Sequence, residues 1–443
     1  MQLRRETNLL LLGDSILLVF SLFLALTIRN LAIPSGSYFL EHFVAFIPIF
    51  VISVIVFFIG GLYEKQTRLV RSVMGGRIFT AQAANTVIAA LLFFFLPFEI
   101  APKTILAIYL IVSVIAISLW RFSAIPLLTL SNRQNAILVG NGAAVHEVWE
   151  EVNHNDRYLL RFVEYIDTSH VPAAELPKRI ADAMGNGISD IVLDTRDMTV
   201  REILPGLYDA MITGVSFHEF SAFYESIFDR VPLEHIDHAW LLECLPKQKL
   251  AYEFGKRSFD TVVALIGAVV ALIFILPAAL VLKLSGGRAF IFNERVGRAG
   301  KKMYIVKLRS MLFDDKGDPV LREKNRVTTF GAFLRKTRID ELPQLWNVLT
   351  GDLSFIGPRP ELPKIAQIYE DEIPYYGVRH LITPGLSGWA QIRDFDAPKG
   401  GADVERTKRK LSYDLYYLNR RSFVLDIVIA LKTVRALLSF SGK

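Results

Sequence analysis

The stretch "KRSFDTVVALIGAVVALIFILPAALVLKLSGGR", residues 256–288, decides the class of fold. Its apolar residues run nearly unbroken from Thr261 to Leu284, which is long enough to cross a bilayer as a helix. Basic residues flank both ends of the run, and Pro277 interrupts its later part, where a proline removes a backbone donor and kinks a helix. The residues alone leave two forms open: an ordinary span, or a re-entrant helix over about residues 259–284.

Four further apolar stretches fill the first 130 residues, and each is about long enough for a membrane helix. They cover Leu9–Ile28, Phe43–Leu62, Phe79–Phe98 and Ile105–Trp120. Lysine and arginine flank them at the N-terminus, between the second and third stretches, and after the fourth, where Arg121 follows. By the positive-inside rule, both ends of this group face the cytoplasm. We therefore predict a multi-pass membrane protein in which residues 1–130 form an α-helical four-span bundle.

An acidic residue, Asp14, lies within the first of these stretches. An acid inside a membrane helix can mark an ion path. At the cytoplasmic edge of the membrane it can instead cap or hydrate the start of a helix, which is the interpretation we favour here.

Composition supports the membrane assignment and narrows the partners. The chain has 443 residues, 52% of them apolar, with a mean hydropathy of +0.35. A net charge of +6 suits anionic lipid, phosphorylated substrates or nucleic acid. We expect membrane lipids and phosphorylated substrates as partners, and no nucleic acid. The single cysteine, Cys244, excludes a disulfide within the chain and a cysteine-rich metal site.

The middle of the chain, residues 131–250, alternates short apolar runs with helical patterns. The runs that predict strands are Asn135–Gly140, Arg161–Asp167, Asp190–Thr195 and Gly214–Phe220, and the helical patterns include Ala143–Val152 and Val200–Met211. Such alternation is typical of a doubly wound parallel sheet, so we predict a cytoplasmic, Rossmann-like α/β domain. A linker around Leu245–Lys256 would follow it.

The first turn of this predicted domain is "GNGAAV", residues 140–145. Gly140 and Gly142 fit a dinucleotide fingerprint, but Val145 replaces the third glycine, which normally permits close packing of helix on strand. The departure weakens the case for NAD. A structural or regulatory role is favoured, and nucleotide sensing stays open.

The C-terminal part concentrates charge in several long motifs. "FNERVGRAGKKMYIVKLRSM", residues 292–311, is rich in cations; "RKTRIDELPQLWN", residues 335–347, carries the adjacent acids Asp340 and Glu341; and "GDLSFIGPRPE", residues 351–361, lies on a turn rich in glycine and proline. The acids alone could be an ordinary helix-start pair, and the cations a solvated or lipid-binding face. Together they predict a site for a phosphate-rich, lipid-linked substrate.

These motifs, with "KRSFD" and "TPGLSGWAQI" at residues 383–392, resemble the bacterial sugar transferase family, the monotopic polyprenol-phosphate phosphoglycosyl transferases. The resemblance covers Lys256 to the C-terminus, and the upstream arrangement is similar to the long members. It implies an α/β-type catalytic domain at residues 251–443, on the cytoplasmic face of the bacterial inner membrane. It also implies transfer of a sugar 1-phosphate from a UDP-sugar to undecaprenyl phosphate, with release of UMP, as the first step of exopolysaccharide, capsule or O-antigen synthesis.

The resemblance also assigns roles to residues. Asp340 would be the nucleophile that forms an aspartyl-phosphosugar intermediate, and Glu341 would lie near a Mg²⁺ ion. The residues implied for contacts with substrate phosphates are Lys307, Arg309, Arg335 and Arg359. Pro277 matches the family's break in the re-entrant helix, which favours that form. The sequence departs from the family pattern at Leu276, where some relatives carry serine, and at "QIRDF" after Trp389, a difference that bears on sugar choice.

Three expectations concern the rest of the molecule. The Rossmann-like domain is expected to serve regulation or contact within a homodimer, so a chain beginning near Ala251 should still release UMP. The C-terminal stretch from Tyr413 to Leu438 is expected at the bilayer interface, with an ordinary packed helix as the alternative. A catalytically silent membrane scaffold is the competing function, which the intact acid pair argues against.

Overall fold

Helices and strands are defined in a computed structural model, which describes residues 2–63, 71–95, 103–129, 133–155, 158, 160–184, 187–207, 215–237, 240–242, 250–313, 325–394 and 403–438. The chain divides into two compact units, residues 1–227 and 228–443. These units do not coincide with the three predicted domains, because the helical bundle and the parallel sheet belong to one unit.

The first unit begins with four long helices. They are α1 (Gln2–Asn30), α2 (Gly36–Ile59), α3 (Arg71–Phe95) and α4 (Lys103–Thr129). α1 packs against α2 and α4, and α3 packs against the same two helices. Leu10, Leu18 and Leu22 of α1 are buried at helical spacing, while its Leu12 and Ile16 are exposed. α1 therefore carries apolar residues on its buried face and on its exposed face, which is the pattern of a helix that contacts other helices on one side and lipid on the other.

Length and composition mark some of the described helices as candidate membrane spans. In the described part of the chain, four helices are long and apolar enough to cross a membrane by length and composition: Asn8–Asn30, Gly36–Ile59, Thr104–Ser123 and Leu250–Leu284. Three of them lie in the bundle. The predicted third span, Phe79–Phe98, overlaps α3, which is not among these four helices. Residues 96–98 of that predicted span lie outside the described residues.

The favoured interpretation of Asp14 is wrong, because this residue lies inside α1 and not at its start. Its carboxylate is fully buried and forms an ion pair with Arg121 of α4, which is also fully buried. Tyr63 donates a hydrogen bond to Asp14 over 2.7 Å. The positive-inside argument counted Arg121 as a free loop charge. Because Arg121 is buried and paired with Asp14, it cannot be used to infer the orientation of the bundle.

The second half of this unit is a four-stranded parallel sheet. Its strands are β1 (Gln134–Gly140), β2 (Leu160–Asp167), β3 (Asp190–Leu193) and β4 (Ser216–Glu219), in the order β2-β1-β3-β4. The helices are α5 (Ala143–Asn153), α6 (Leu176–Met184), α7 (Met198–Ile203) and α8 (Phe220–Phe228). All four predicted strands are confirmed. α7 is shorter than predicted, since a 3₁₀ turn (Leu204–Leu207) follows it and residues 208–211 lie outside the described residues.

The second unit contains one long helix, α9 (Leu250–Leu284), which continues through Pro277. Residues 250–256 are helical, so the predicted linker is wrong for them, and residues 243–249 lie outside the described part. Small residues on one face of α9, Ala264, Ala271 and Ala278, are buried. Its other face exposes large apolar side chains, among them Leu265, Ile266, Val269, Ile273 and Leu276.

The rest of this unit packs small sheets between helices. The strands are β5 (Phe290–Val296) and β6 (Lys302–Leu308), which pair antiparallel, and β7 (Ser354–Ile356) and β8 (Gly385–Ser387), which pair parallel. The helices are α10 (Thr329–Thr337), α11 (Gln344–Thr350), α12 (Pro363–Glu372), α13 (Trp389–Arg393), α14 (Val404–Arg420) and α15 (Phe423–Leu438). Short 3₁₀ turns cover Leu233–His235, Arg298–Gly300, Ile339–Glu341 and Tyr376–Leu381.

The tyrosine-rich C-terminal stretch is mainly part of the core. Tyr416 and Tyr417 on α14 are buried in the main hydrophobic cluster of this unit. The interface interpretation is therefore wrong for these tyrosines, and the packed-helix alternative holds for α14. α15 differs, because it also carries an exposed apolar face.

Candidate active site

A cavity of about 670 Å³ opens between β5, β6, α10 and the end of α15. The described residues that line it include five cations and two carboxylates: Lys307, Arg309, Arg335, Lys336, Arg338, Asp340 and Glu341. Apolar and uncharged side chains complete the lining, including Ile291, Leu308, Met311, Phe313, Asn293 and Ser310. A positive cavity with an apolar part can hold an anionic group beside a hydrophobic one.

The backbone brings the acid pair to this cavity through a sharp helix end. Thr328 caps α10 by accepting a hydrogen bond from Gly331 N over 2.9 Å. A side chain at Gly331 would place its Cβ 1.9 Å from Ser310 O, so glycine permits α10 to lie against the end of β6. α10 ends at Arg338, a non-glycine residue in the left-handed region with φ 59° and ψ 15°. The following 3₁₀ turn carries both acids.

Asp340 is buried without full hydrogen bonding. Its side chain lies at the cavity, yet within the described part of the chain its Oδ1 atom has no hydrogen-bond partner. Burial raises the pKa of Asp340, and the adjacent Glu341 adds to that rise. The charges of Lys307, Arg335 and Arg338 oppose it. The Asp340 carboxylate thus lies among cations, while its Oδ1 keeps no hydrogen-bond partner among the described residues. An oxygen of this kind suits a nucleophile.

Glu341 has the opposite character. Its Oε1 atom accepts a hydrogen bond from Lys307 Nζ over 2.8 Å, and Arg338 Nη1 lies 3.6 Å from Oε2. Burial works against ionisation, but the charges of Lys307, Arg359 and Arg338 together hold the pKa of Glu341 below its usual range. Glu341 therefore stays ionised as a fixed negative charge beside Asp340.

The four cations implied for phosphate contacts have different surroundings. Lys307, Arg309 and Arg335 line the cavity, with Lys307 held by Glu341 and Arg335 held by Ser310 Oγ at 2.8 Å. Arg309 also closes the end of α9 by donating to Leu282 O over 3.0 Å. Arg359 is not among the lining residues, although its charge reaches Glu341.

Sequence reasoning assigned no phosphate contact to two further arginines that shape the site. Arg338 lines the cavity and contacts Glu341, and only its place in the "RKTRIDE" motif signalled it. Arg379 is buried, pairs with Asp414 at 2.7 Å, and donates to Arg359 O over 2.9 Å. That bond fixes the backbone of the "GPRPE" turn, and the two partners are too far apart in sequence for a motif to reveal it.

The "KRSFD" motif proves to fasten α9 to the rest of the unit. Lys256 Nζ donates to Asp426 on α15 over 2.9 Å, and Ser354 Oγ donates to Asp260 over 2.7 Å. Arg257 donates to two carbonyl oxygens near the end of α11. These polar contacts join α9 to α11, α15 and β7. They explain why charged residues precede the apolar run of α9.

A segment upstream of α9 also belongs to this unit. Arg393 on α13 forms an ion pair with Asp229, and Trp389 Nε1 donates to Asp229 O over 2.8 Å. Three apolar residues of the segment are buried in the unit's main cluster: Val231, Ile236 and Trp240. A chain beginning near Ala251 would lack these contacts, so the predicted independence of the catalytic part is better tested with a chain that begins at Phe228.

The residues at the acid pair fit only a minimal magnesium site. Among the described residues, no group of three or more His, Cys, Asp or Glu side chains could hold a metal ion. Mg²⁺ is commonly held by one or two carboxylates together with substrate phosphates. Asp340, with its unpartnered Oδ1, and Glu341 meet that lower requirement.

The "GNG" turn of the parallel sheet is filled by the chain's own side chains. Asn141 Nδ2 donates to Thr168 Oγ1 over 3.0 Å and to Asp197 over 2.8 Å. A Cβ at Gly140 would lie 2.8 Å from the Cβ of Asp194. Carboxylates at the edge where a pyrophosphate would bind disfavour an anionic dinucleotide, in keeping with the weak fingerprint. The Rossmann-like assignment and nucleotide sensing stay predictions.

Comparison with known proteins supports the reading of the second unit. Residues 251–440 match the family model described as bacterial sugar transferase. A UDP-N-acetylgalactosamine-undecaprenyl-phosphate N-acetylgalactosaminephosphotransferase of Aeromonas hydrophila is 38% identical over 222 residues, 49% of this chain and 51% of that protein. A UDP-glucose:undecaprenyl-phosphate glucose-1-phosphate transferase of Xanthomonas campestris pv. campestris is 40% identical over 181 residues, 38% of this chain and 37% of that protein.

A protein of Caulobacter vibrioides with the same printed name as the Xanthomonas relative is 38% identical over 199 residues, 44% of this chain and 73% of that protein. The family match covers the part of the chain that holds the apolar helix α9 and the cationic cavity. This chain belongs to the bacterial sugar transferase family. The match spans only about half of the Aeromonas relative and less of the Xanthomonas one.

Proposed function

We propose that this protein transfers a sugar 1-phosphate from a UDP-sugar to undecaprenyl phosphate, releasing UMP, as the first step of exopolysaccharide, capsule or O-antigen synthesis. The observation that carries the proposal is Asp340, a buried carboxylate in a cavity that five described cations line; its Oδ1 has no hydrogen-bond partner among the described residues. Relatives whose names specify this type of transfer support it.

In the first step, Asp340 attacks the sugar-bearing phosphorus of the UDP-sugar. A bond forms between the carboxylate oxygen and phosphorus, the bond to the bridging oxygen breaks, and UMP leaves with the electron pair. In the second step, a phosphate oxygen of undecaprenyl phosphate attacks the same phosphorus and regenerates the Asp340 carboxylate. Covalent catalysis divides one difficult displacement into two easier ones.

The cations stabilise the charge that builds up during both displacements. Lys307 and Arg335 are held by hydrogen bonds at the cavity wall, so little reorganisation is needed when phosphate enters. A bound Mg²⁺, held by Glu341 and the substrate phosphates, would neutralise diphosphate charge. Lys307 and Arg338 keep Glu341 ionised for that role.

The apolar helix α9 is re-entrant in this proposal, with the catalytic unit on the cytoplasmic face of the inner membrane. Both halves of α9 pack against the same small sheet, Ala264 near Met303 and Leu282 near Leu308. An ordinary span would carry that polar unit into the bilayer, where unsatisfied backbone is costly. Cysteines at positions 256 and 283, with Cys244 replaced, should be labelled from one side of the membrane. Labelling from opposite sides would exclude the re-entrant form.

The sugar and the homodimer stay open to experiment. Purified protein should release UMP with undecaprenyl phosphate and one member of a panel of UDP-galactose, UDP-glucose and N-acetylated UDP-sugars. When the UDP-sugar is labelled in its sugar phosphate and no acceptor lipid is added, the label should remain on the peptide that contains Asp340. Absence of UMP release with every UDP-sugar would refute the activity, whereas turnover without trapped label would refute only the intermediate.

A further inference from the structure

The last helix, α15, has one buried and one exposed apolar face. On the buried face, Ile429 lies in the core and Asp426 accepts a hydrogen bond from Tyr417 over 2.7 Å. Apart from Phe423, which packs against Tyr252, four large apolar residues along α15 are between 41% and 73% exposed: Val424, Ile427, Val434 and Leu437. We call these four residues the apolar stripe. Along a helix, they extend over about 20 Å.

The apolar stripe ends in the cavity that holds Asp340. Leu437 and its neighbour Ala436 line that cavity, together with Ile291, Leu308 and Met311. The cavity thus has a cationic part near the acid pair and an apolar part that continues onto the surface of α15. A UDP-sugar is polar or charged throughout and has no use for a 20 Å apolar track.

Membrane attachment alone does not require the stripe. α9 already exposes a broad apolar face that includes Leu265, Ile266, Val269 and Ile273. The stripe is narrower, and the first turn of α15 is fastened to α9 through Lys256 and Asp426. Its distinguishing feature is its continuity with the catalytic cavity.

We propose that the apolar stripe of α15 binds the isoprenoid tail of the acceptor lipid while the cations of the cavity bind its phosphate. This inference rests on the proposed function, because it assigns a subsite to the second substrate. Burial of the tail against Ile427 and Val434 lowers the free energy of the bound long-chain acceptor, and a short-chain acceptor cannot reach these residues. The stripe therefore determines preference for chain length, with no part in the chemical step.

The test uses the full-length protein carrying Ile427→Asn and Val434→Asn, both at exposed positions. The KM for undecaprenyl phosphate should rise about tenfold, whereas the KM for a short-chain prenyl phosphate and the exchange of labelled UMP into UDP-sugar should stay unchanged. Ile368→Asn, at an exposed apolar position on α12, is the matched control and should change none of these.

Two results would overturn the inference. One is an unchanged KM for undecaprenyl phosphate in the double variant. The other is loss of the variant from liposomes with equal effects on long and short acceptors, which would make the stripe a membrane contact. Absence of UMP release by the unmodified protein with undecaprenyl phosphate and every UDP-sugar would refute the proposed function. It is distinguished from both results above, because those are measured on an unmodified protein that turns over.

Discussion

Two buried aspartates, one in the helical bundle and one in the catalytic cavity, meet arginine in different ways. Asp14 is fully buried, and both of its oxygens accept hydrogen bonds, from Arg121 and Tyr63. Asp340 is nearly as buried, with three cations in electrostatic range, yet its Oδ1 has no partner among the described residues. The first carboxylate is saturated and the second is not.

The difference separates a structural role from a chemical one. The Asp14–Arg121 ion pair joins α1 to α4, and both oxygens of the Asp14 carboxylate are engaged by Arg121 and Tyr63. An unsaturated buried carboxylate costs stability, which a fold tolerates where the group must react. Substitution of each residue should therefore produce opposite patterns of stability and activity.

The largest expected effect is on catalysis by Asp340→Asn. Loss of the nucleophile should reduce transfer by about 10⁴-fold or more. Because burial raises the pKa of Asp340, the fold disfavours its charge, and the neutral amide should leave the melting temperature equal or higher. UMP release and thermal unfolding in the same detergent measure both effects. Near-normal turnover, or loss of folded protein, would contradict the comparison.

Asp14→Leu should show the reverse pattern. It leaves the Arg121 guanidinium buried without its counter-charge, which should cost about 3–5 kcal/mol of stability. Unfolding titrations in detergent measure the loss, and turnover per folded molecule should be preserved. The double variant Asp14→Leu/Arg121→Met should recover most of the stability. If the double variant is no more stable than the single one, the ion pair is not the cause.

Glu341→Gln tests the member of the acid pair whose Oε1 is held by Lys307. Without its charge, Lys307 loses an ion-pair partner and the proposed magnesium ligand is gone. Activity should fall about 10²-fold, and the Mg²⁺ concentration for half-maximal rate should rise. Glu405→Gln, at an exposed acid on α14, is the control. An unchanged magnesium response would remove Glu341 from the metal site.

His380 shows a third way to bury an ionisable group, namely as its neutral form. Burial, with the nearby Arg379, lowers the pKa of His380 to about 4. Glu370 lies 3.4 Å away, but it is partly exposed and its attraction is screened. A depressed histidine pKa means that stability is present above the unfolded pKa of about 6.5 and is lost as the pH falls towards 4.

Between pH 7 and pH 5, the neutral His380 should lower the free energy of unfolding by about 2 kcal/mol. The His380→Gln variant should not show this pH-dependent decrease. Denaturant unfolding of both proteins at several pH values measures the difference. His170→Gln, at an exposed histidine, should leave the pH dependence unchanged. Equal acid sensitivity in the His380 variant and the unmodified protein would refute the assignment.

The smallest expected effect is that of Asp229→Asn, where a saturated carboxylate is only half-buried. Loss of its charge weakens the contact with Arg393 and should cost about 1 kcal/mol. Thermal unfolding of a chain beginning at Phe228 detects this change, because that chain contains both partners. If Asp229→Asn lost as much stability as Asp14→Leu, the stability cost of removing a paired carboxylate would not depend on its burial.

Much of the fold follows from local patterns. The four strands of the parallel sheet lie where alternating apolar runs predict them, since strand pattern depends on neighbours a few residues apart. The start of α9 was misplaced, because Glu253, Gly255 and Lys256 interrupt the apolar run in the sequence. In the structure this turn is helical, and Tyr252 and Lys256 donate hydrogen bonds to Asp426 on α15.

The sequence by itself determined the apolar helices, the parallel sheet and the identity of the acid pair, because length, periodicity and adjacent residue types are local properties of a chain. Only the tertiary structure decided which carboxylates accept hydrogen bonds from cations. Asp14 meets Arg121 across 107 residues and Glu341 meets Lys307 across 34. A charge in the sequence shows that an interaction is available, but its burial and its partners depend on distant segments brought together by folding.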